Sequence, residues 1–154
     1  MTVQQIRLRD SQLTIDNGVA EFAHQRAAAR NALSDGLRAD YGDLLDRIEG
    51  DTSIRALIIT GSGGSFCAGG DVKGMRDRLA NSDPSVNSPA ATRQRLHAAQ
   101  AWLDRLRHLE IPVIAAVDGP AFGAGFSLAL VADFVLASSR AEFRMSFLKV
   151  GAHA

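Results

Sequence analysis

The sequence contains only one cysteine, Cys67, so its 154 residues cannot form an internal disulfide bond. A single cysteine in a chain of this length is typical of a protein that works in a reducing compartment. The amino-terminal stretch MTVQQIRLRD has none of the apolar core that a signal peptide requires. We therefore expect a cytoplasmic protein.

The sequence also lacks an excess of charge of either sign. Lys and Arg together number 17, and Asp and Glu together also number 17, so no net field favours nucleic acid or an anionic membrane. Gly, Pro or Asp interrupts each apolar stretch well before the roughly 20 residues of a membrane span. The four histidines do not have the spacing of a metal site with one another or with Cys67. These absences predict a globular protein without a nucleic-acid, membrane or metal partner.

Residues 1–50 predict a β-meander followed by a helix. Short strands are expected at residues 6–9, 13–15 and 19–23. The Asp-Asn-Gly sequence between the last two is a strong turn signal, because Asn and Gly tolerate positive φ. After Ser34, a good N-cap, apolar residues recur at helical spacing.

Further along the chain, buried strands alternate with helices. Continuous apolar runs predict strands at residues 56–60, 112–117 and 134–137. A glycine-rich turn follows each of the first two strands and leads into a helix. These turns comprise residues 61–70 and 119–125, and the helices begin at Asp71 and Phe126.

This order of elements predicts one α/β domain over residues 1–154, with largely parallel strands. The chain is long enough for one domain with a substantial core. Residues 81–89 are rich in Ser, Asn and Pro and predict a surface loop rather than a domain linker, since the core pattern resumes directly.

The two glycine-rich turns are the most informative feature. Such turns expose backbone amides at a helix amino terminus, where free N–H groups and the helix dipole favour negative charge. A dinucleotide site requires G-x-G-x-x-G, but Phe66 and Leu128 stand where the third glycine should be. A P-loop requires Gly-Lys-Ser/Thr, a triplet that the sequence lacks. Both standard kinds of phosphate binding are therefore disfavoured.

A serine hydrolase is a further alternative. Residues 125–129 differ by one residue from a nucleophile elbow around Ser127, and Asp133 and His153 follow in the order of such a triad. An elbow serine, however, lies on the sharp turn directly after its strand, whereas Ser127 is predicted to lie inside a helix. A serine in that position usually bonds back to its own helix. The hydrolase is therefore the weaker alternative.

Two segments resemble the signature regions of the crotonase superfamily, the enoyl-CoA hydratase/isomerase family. They are ALIITGSGGSFCAGGDVKGM at residues 56–75 and IPVIAAVDGPAFGAGFSLALVADFVLASSRAEF at residues 111–143. Residues 30–34, Arg-Asn-Ala-Leu-Ser, resemble a helix start of the same family. The resemblance, nearest to isomerase-like members, implies a crotonase-like (ClpP/crotonase) α/β fold of repeated strand-helix units. It also implies that the carboxy-terminal helical region of the family is lacking.

The same resemblance implies a site for an acyl-CoA thioester. The thioester carbonyl would lie in an oxyanion hole formed by the backbone N–H groups of Gly70 and Ala124. Reactions beside a thioester build negative charge on its oxygen, and each such amide typically stabilises that charge by about 3 kcal/mol. The other residues implied to contact the substrate are Arg26, Ala28, Arg30, Ala68, Gly69, Asp71, Val72, Lys73, Gly123, Ser127 and Phe147.

The resemblance also bears on the coenzyme A moiety and on assembly. Arg26 and Arg30 are plausible partners for its phosphates, although plain solvated charge explains them equally well. Asp71 borders the nucleotide end and is predicted to be the N-cap of its helix. Coenzyme A is part of the substrate, so no separate cofactor is implied. Members of the family form homotrimers or dimers of trimers.

The sequence departs from the family at the positions that transfer protons. Hydratases of the family hold a water between two glutamates, at the positions occupied here by Ser127 and Phe147. Neither side chain can exchange protons with water as a carboxylate does. Isomerase-type proton transfer, by a carboxylate in a Leu-x-Pro-Asp stretch further along the chain, is therefore favoured over hydration.

The sequence ends in Ala-His-Ala at the point where that stretch would begin. We therefore expect a carboxy-terminally truncated domain, for which catalysis and trimer formation are open questions. The alternative from another class of protein is a non-catalytic acyl-CoA-binding or assembly subunit.

Overall fold

A computed structural model of the chain describes residues 3–83 and 85–147. The amino-terminal segment forms the predicted antiparallel meander, with β1 at Gln4–Arg7, β2 at Ser11–Asp16 and β3 at Val19–His24. Asn17 and Gly18 both have positive φ, of 50° and 79°, as the turn sequence predicts.

The remaining elements follow in the predicted alternation of strands and helices. In chain order they are α1 (Asp35–Ile48), β4 (Ala56–Gly61), α2 (Val72–Leu79), α3 (Pro89–Arg107), β5 (Val113–Val117), β6 (Pro120–Phe122), α4 (Ala124–Val131), β7 (Phe134–Ala137) and β8 (Glu142–Arg144).

Six strands form one mixed sheet in the order β1-β2-β3-β4-β5-β7. The ladders that join β3, β4, β5 and β7 are parallel, so these four strands end at the same edge of the sheet. Ligand sites of open α/β sheets lie at this edge. The two glycine-rich turns, which follow β4 and β5, are therefore neighbours there.

The second glycine-rich turn contains a strand that the sequence does not predict. Residues 120–122 form β6, which pairs in parallel with β8 as a separate two-stranded sheet. A strand of three residues is too short to show a recognisable period. Its pairing partners also lie elsewhere in the chain, so neighbouring residues give no signal for it. α4 begins at Ala124, two residues before the predicted start.

The core lies between the sheet and helices α1 and α3. α1 buries its predicted apolar face, and Ser34 caps it by accepting a hydrogen bond from the amide of Leu37. Tyr41 is fully buried and stacks on Trp102 of α3, with ring centroids 4.1 Å apart. This stack joins the two helices over the strand edge that carries the glycine-rich turns.

Candidate functional site

The two glycine-rich turns are joined by backbone hydrogen bonds. The amide of Cys67 donates to Pro120 O over 3.1 Å, and the amide of Phe122 donates to Cys67 O over 2.9 Å. Cys67 and Ala121 thereby form a parallel bridge. The loop after β4 and strand β6 are therefore one hydrogen-bonded unit rather than two independent turns.

Three glycines allow this unit to pack closely against α4. A Cβ atom on Gly125 would overlap the carbonyl oxygen of Cys67, so only glycine fits there. A Cβ atom on Gly69, whose φ is +97°, would lie 2.7 Å from Phe122 O and 3.5 Å from Ala124 N. Gly123 has φ 51° and ψ −119°, a conformation that favours glycine. The chain around Gly69 therefore lies directly against the first residue of α4.

Two amides at this contact have no acceptor among the described residues. They belong to Gly70 and Ala124. Ala124 is the first residue of α4, where a backbone N–H has no partner within the helix and carries the positive end of the helix dipole. A Cβ atom on Gly69 would lie 3.5 Å from Ala124 N, so the segments that carry the two free amides lie next to each other. Free backbone amides of this kind are suitable donors for an oxygen that carries partial negative charge.

The segment between β3 and α1 holds the first loop in place. Asn31 is fully buried, and its Nδ2 donates to Ser62 O over 2.9 Å and to Ser65 O over 2.6 Å. The amide of Ala68 donates to Arg30 O over 3.0 Å, and the amide of Leu33 donates to Gly69 O over 2.8 Å. The Asn-Ala-Leu sequence was predicted as a helix start. Its larger contribution is to support the loop that carries Gly70.

Asp71 caps α2, as predicted, by accepting a hydrogen bond from the amide of Gly74 over 3.2 Å. That bond, together with the neighbouring positive charge of Arg26, lowers the pKa of the Asp71 carboxyl. Arg26 Nη1 lies 3.4 Å from the Asp71 carboxylate and donates to Ala32 O, and Arg26 Nε lies 3.7 Å from the Asp10 carboxylate. A phosphate at Arg26 would have to compete with both carboxylates.

The other predicted contact residues surround the free amides at different depths. Ala28, in a short 3-10 helix at Ala27–Ala29, and Arg30 directly after it are exposed. Val72 and Lys73 are exposed on the first turn of α2, whereas Ala68 is half-buried and Gly69 is buried. Met75, on the next turn of α2, reaches back over the loop, so that its Cε lies 2.7 Å from the position of a Cβ atom on Gly70.

Ser127 and Phe147 both lie next to Gly123. Ser127 Oγ donates to Gly123 O over 3.4 Å, within its own helix. Phe147 Cε1 is 4.0 Å from the position that a Cβ atom on Gly123 would occupy. The structure therefore brings a hydroxyl and a phenyl ring, and no carboxylate, to these two positions beside Ala124.

The residues of the alternative hydrolase triad are placed apart. The Asp133 carboxylate accepts a hydrogen bond from the amide of Val113 over 2.8 Å, at the amino end of β5. Ser127 lies beyond the opposite end of that strand, on the first turns of α4. His153 is outside the described residues. The described geometry gives Ser127 no activating base.

A buried histidine beneath the first loop is a feature that sequence reasoning missed. His24 Nδ1 is 3.0 Å from Phe66 O, and its Nε2 is 2.8 Å from the hydroxyl of Tyr41. Burial lowers the pKa of His24 to about 4, so the ring is neutral at pH 7. Burial also raises the pKa of Cys67 to about 11, so its thiol is protonated and unreactive. The sequence signal was a lone histidine at the end of an alternating strand, which is compatible with many roles.

The described part of the chain holds neither a metal-binding cluster nor a membrane-spanning helix. No group of three or more His, Cys, Asp or Glu side chains is placed to hold a metal ion there. None of the helices in residues 3–83 and 85–147 has the length and apolar content needed to cross a membrane.

The chain is similar to several known proteins. Residues 14–154 match the family model described as enoyl-CoA hydratase/isomerase. The chain is 37% identical over 137 residues to 1,2-epoxyphenylacetyl-CoA isomerase of Escherichia coli, a match that covers 89% of this chain and 50% of that one. It is 36% identical over 140 residues to carnitinyl-CoA dehydratase of Proteus mirabilis, covering 90% of this chain and 49% of that one.

The fold is similar to a solved structure over almost its full length. The crystal structure of an enoyl-CoA hydratase/isomerase from Cupriavidus metallidurans matches it with a TM-score of 0.86 at 40% identity, covering 96% of this chain and 53% of that one. The chain thus spans about half the length of the curated relatives that it matches.

Proposed function

Because this chain belongs to the enoyl-CoA hydratase/isomerase family and has the crotonase fold of its relatives, we propose that it binds an acyl-CoA thioester. In this proposal the carbonyl oxygen of the thioester accepts hydrogen bonds from the backbone amides of Gly70 and Ala124. The observations that support it are the close approach of Gly69 to α4, since a Cβ atom on Gly69 would lie 3.5 Å from Ala124 N, and the lack of an acceptor for the Gly70 and Ala124 amides among the described residues.

The arrangement suits a reaction that passes through an enolate. Removing a proton next to a thioester carbonyl moves negative charge onto the carbonyl oxygen, and returning a proton to the enolate carbon removes that charge again. Two amides already oriented towards that oxygen bind it more strongly in the enolate than in the ground state, which lowers the barrier. The dipole of α4 adds to this effect, because Ala124 is its first residue.

The reaction is proposed to be an isomerase-type proton transfer rather than a hydration. A hydratase needs carboxylates that hold and deprotonate a water molecule. Ser127 and Phe147 stand beside Gly123 in their place. A base for the proton transfer therefore has to come from another carboxylate. Without one, the same pocket would be a non-catalytic acyl-CoA-binding site, which is the second candidate function.

The exposed residues on either side of the loop are proposed to contact coenzyme A. Arg30 and Lys73 are exposed and flank the segment from Ala68 to Asp71, whereas Arg26 is already paired with two carboxylates. We therefore assign the phosphate contacts to Arg30 and Lys73 rather than to Arg26. Coenzyme A remains part of the substrate, and no separate cofactor enters the proposal.

The binding proposal is tested by comparing butyryl-CoA with S-butyl-CoA, a thioether in which a methylene replaces the carbonyl. Calorimetric titration should give about tenfold tighter binding of the thioester, since two amide hydrogen bonds of about 0.7 kcal/mol each amount to about 1.4 kcal/mol. Ala124→Pro removes one of the two donors at a helix position that tolerates proline. This variant should lose most of the preference.

Asp35→Pro is the matched control, because Asp35 is likewise the first residue of a helix, α1, and its amide is not one of the two proposed donors. It should keep the tenfold preference. Equal affinity of the unmodified chain for thioester and thioether would count decisively against the proposed pocket.

The type of reaction is tested with 2-enoyl- and 3-enoyl-CoA substrates in deuterated water. Isomerase-type transfer moves the double bond and introduces deuterium, and it gives no 3-hydroxyacyl product. Formation of the hydroxy product would favour hydration instead, and thioester binding without exchange would favour the non-catalytic subunit.

A further inference from the structure

A neutral histidine is locked in one tautomer beneath the loop that carries Gly70. His24 ends β3 and is fully buried. A carbonyl oxygen can only accept, so the 3.0 Å contact with Phe66 O requires the proton on Nδ1. Nε2 must then accept from the hydroxyl of Tyr41, 2.8 Å away. Each ring nitrogen therefore has one defined partner.

The hydrogen bond from His24 fixes one edge of a single peptide group. Phe66 O and the amide of Cys67 belong to the same planar peptide. That amide donates from the opposite edge to Pro120 O over 3.1 Å. The peptide is thus held on one side by a side chain of β3 and on the other by the backbone of β6.

Cys67, which supplies the amide of this peptide, also contacts the segment that leads into α4. Cys67 O accepts from the amide of Phe122 and packs against Gly125 of α4. Three residues further along the loop is Gly70. A rotation of the 66–67 peptide would therefore change the distance between the Gly70 amide and the first turn of α4.

We propose that His24 is a positioning residue, which sets the separation of the Gly70 and Ala124 amides through its hydrogen bond to Phe66 O. This inference rests on the proposed thioester pocket. His24 does not contact the substrate in it. Tyr41 contributes indirectly, because its hydroxyl holds the ring in the orientation that points Nδ1 at the loop.

A simple packing role is the competing explanation. His24 lies among the rings of Phe22, Tyr41 and Phe66, with centroid distances of 4.7 to 5.9 Å within this group. If the ring only filled space, every substitution would act through stability alone. If it positions the loop, the preference for the thioester depends on keeping the nitrogen that donates to Phe66 O.

Two amide substitutions separate these explanations, because each retains one half of the imidazole. In His24→Asn the amide nitrogen can take the place of Nδ1 and still donate to Phe66 O. In His24→Gln the amide group takes the place of Nε2, so it retains Tyr41 and loses Phe66 O. Both variants should have a lower melting temperature than the unmodified chain, because each loses one buried hydrogen bond.

The readout is the affinity ratio of butyryl-CoA to S-butyl-CoA, which a loss of stability alone does not change. We expect the unmodified chain and His24→Asn to agree within twofold, near a ratio of ten. His24→Gln should fall to about twofold or less. His24→Leu, which lacks both hydrogen bonds and keeps an apolar shape, should behave like His24→Gln and serves in its place if the latter does not fold.

The outcomes are distinguishable. Equal ratios in the unmodified chain, His24→Asn, His24→Gln and His24→Leu would overturn the positioning role and leave the thioester pocket intact. A ratio that declines with melting temperature, irrespective of which nitrogen is kept, would overturn it as well. A ratio of one in the unmodified chain would instead refute the proposed function on which the inference rests.

Discussion

Gly125 lies so close to Cys67 that a Cβ atom on the glycine would overlap the carbonyl oxygen of the cysteine. The first turn of α4 therefore rests directly on the backbone of the loop after β4. Ala124 N belongs to that turn, and Gly70 N follows Cys67 by three residues. This contact, which excludes any side chain, joins the helix turn that carries the Ala124 amide to the loop that carries the Gly70 amide.

Gly125→Ala should destabilise the protein and abolish the thioester preference. Alanine favours a helix over glycine by about 1 kcal/mol. Against this, the added methyl group has to displace a backbone carbonyl, and such overpacking costs about 3 kcal/mol. The net loss of about 2 kcal/mol should appear as a lower urea midpoint.

Gly42→Ala is the matched control for that substitution. Gly42 lies inside α1, and a Cβ atom there would meet no atom within 4 Å. Only the helix propensity then changes, so this variant should gain up to about 1 kcal/mol. A stabilised Gly125→Ala variant would show that the contact with Cys67 is not tight.

The stability of the fold should decrease in mild acid because of His24. Its pKa is lowered from 6.5 to about 4 by burial. Between these two values the unfolded chain binds a proton that the folded chain does not, so acid favours unfolding. The free energy of unfolding should fall by about 3 kcal/mol as the pH drops from 6.5 to 4.

Urea titrations of His24→Leu measure this contribution. The variant should lose most of the slope between pH 6.5 and 4, whereas His97→Gln, on the exposed surface of α3, should keep it. A slope in His24→Leu as steep as in the unmodified chain would assign the acid sensitivity to other groups.

Asp40→Asn should be among the most destabilising single-atom changes in the chain. The buried Asp40 carboxylate accepts from the amides of Arg9 and Asp10, over 3.1 and 2.7 Å, and from Ser11 Oγ over 2.8 Å. An amide nitrogen would face one of these donors and leave it unsatisfied. We expect a loss of about 3 kcal/mol in urea denaturation.

Asp43→Asn is the control. The Asp43 carboxylate pairs at the surface with the Arg9 guanidinium, which also pairs with Asp40. Exposed ion pairs contribute little, so this substitution should change stability by less than about 1 kcal/mol. Similar losses in the two variants would contradict the role given to the buried hydrogen bonds.

Cys67 should be inert in the folded protein. Its side chain is fully buried, and its pKa is raised to about 11. A thiol reagent at pH 8 should therefore modify less than one tenth of the protein within the time in which the unfolded chain reacts completely. Rapid modification without denaturant would mean that the loop between Phe66 and Gly70 opens readily.

Local signals were sufficient to predict much of the fold. The Asn-Gly turn, the N-caps Ser34 and Asp71 and the back-bonded Ser127 were each predicted from a few neighbouring residues, and the structure confirms them. Such features depend on backbone preferences that adjacent residues determine.

The supports of the site could not be predicted in this way. Asn31 contacts Ser62 and Ser65, and His24 contacts Phe66, across more than thirty positions of the sequence. Neither residue type indicates by itself whether it will be buried. Strand β6 was missed for the same reason, since its partners are Cys67 and β8. The resemblance to a known family identified the two candidate amides, and the structure identified the residues that hold their segments in place.

The carbonyl stretching frequency of bound butyryl-CoA, labelled with carbon-13 at the thioester carbon, tests the two-amide pocket most directly. In the proposed pocket, hydrogen bonds from Gly70 and Ala124 polarise the carbonyl and lower its frequency below the value in water. The infrared difference spectrum should therefore show a shift to lower frequency, and Ala124→Pro should remove about half of it. A bound carbonyl that absorbs at the same frequency as in water would contradict the account.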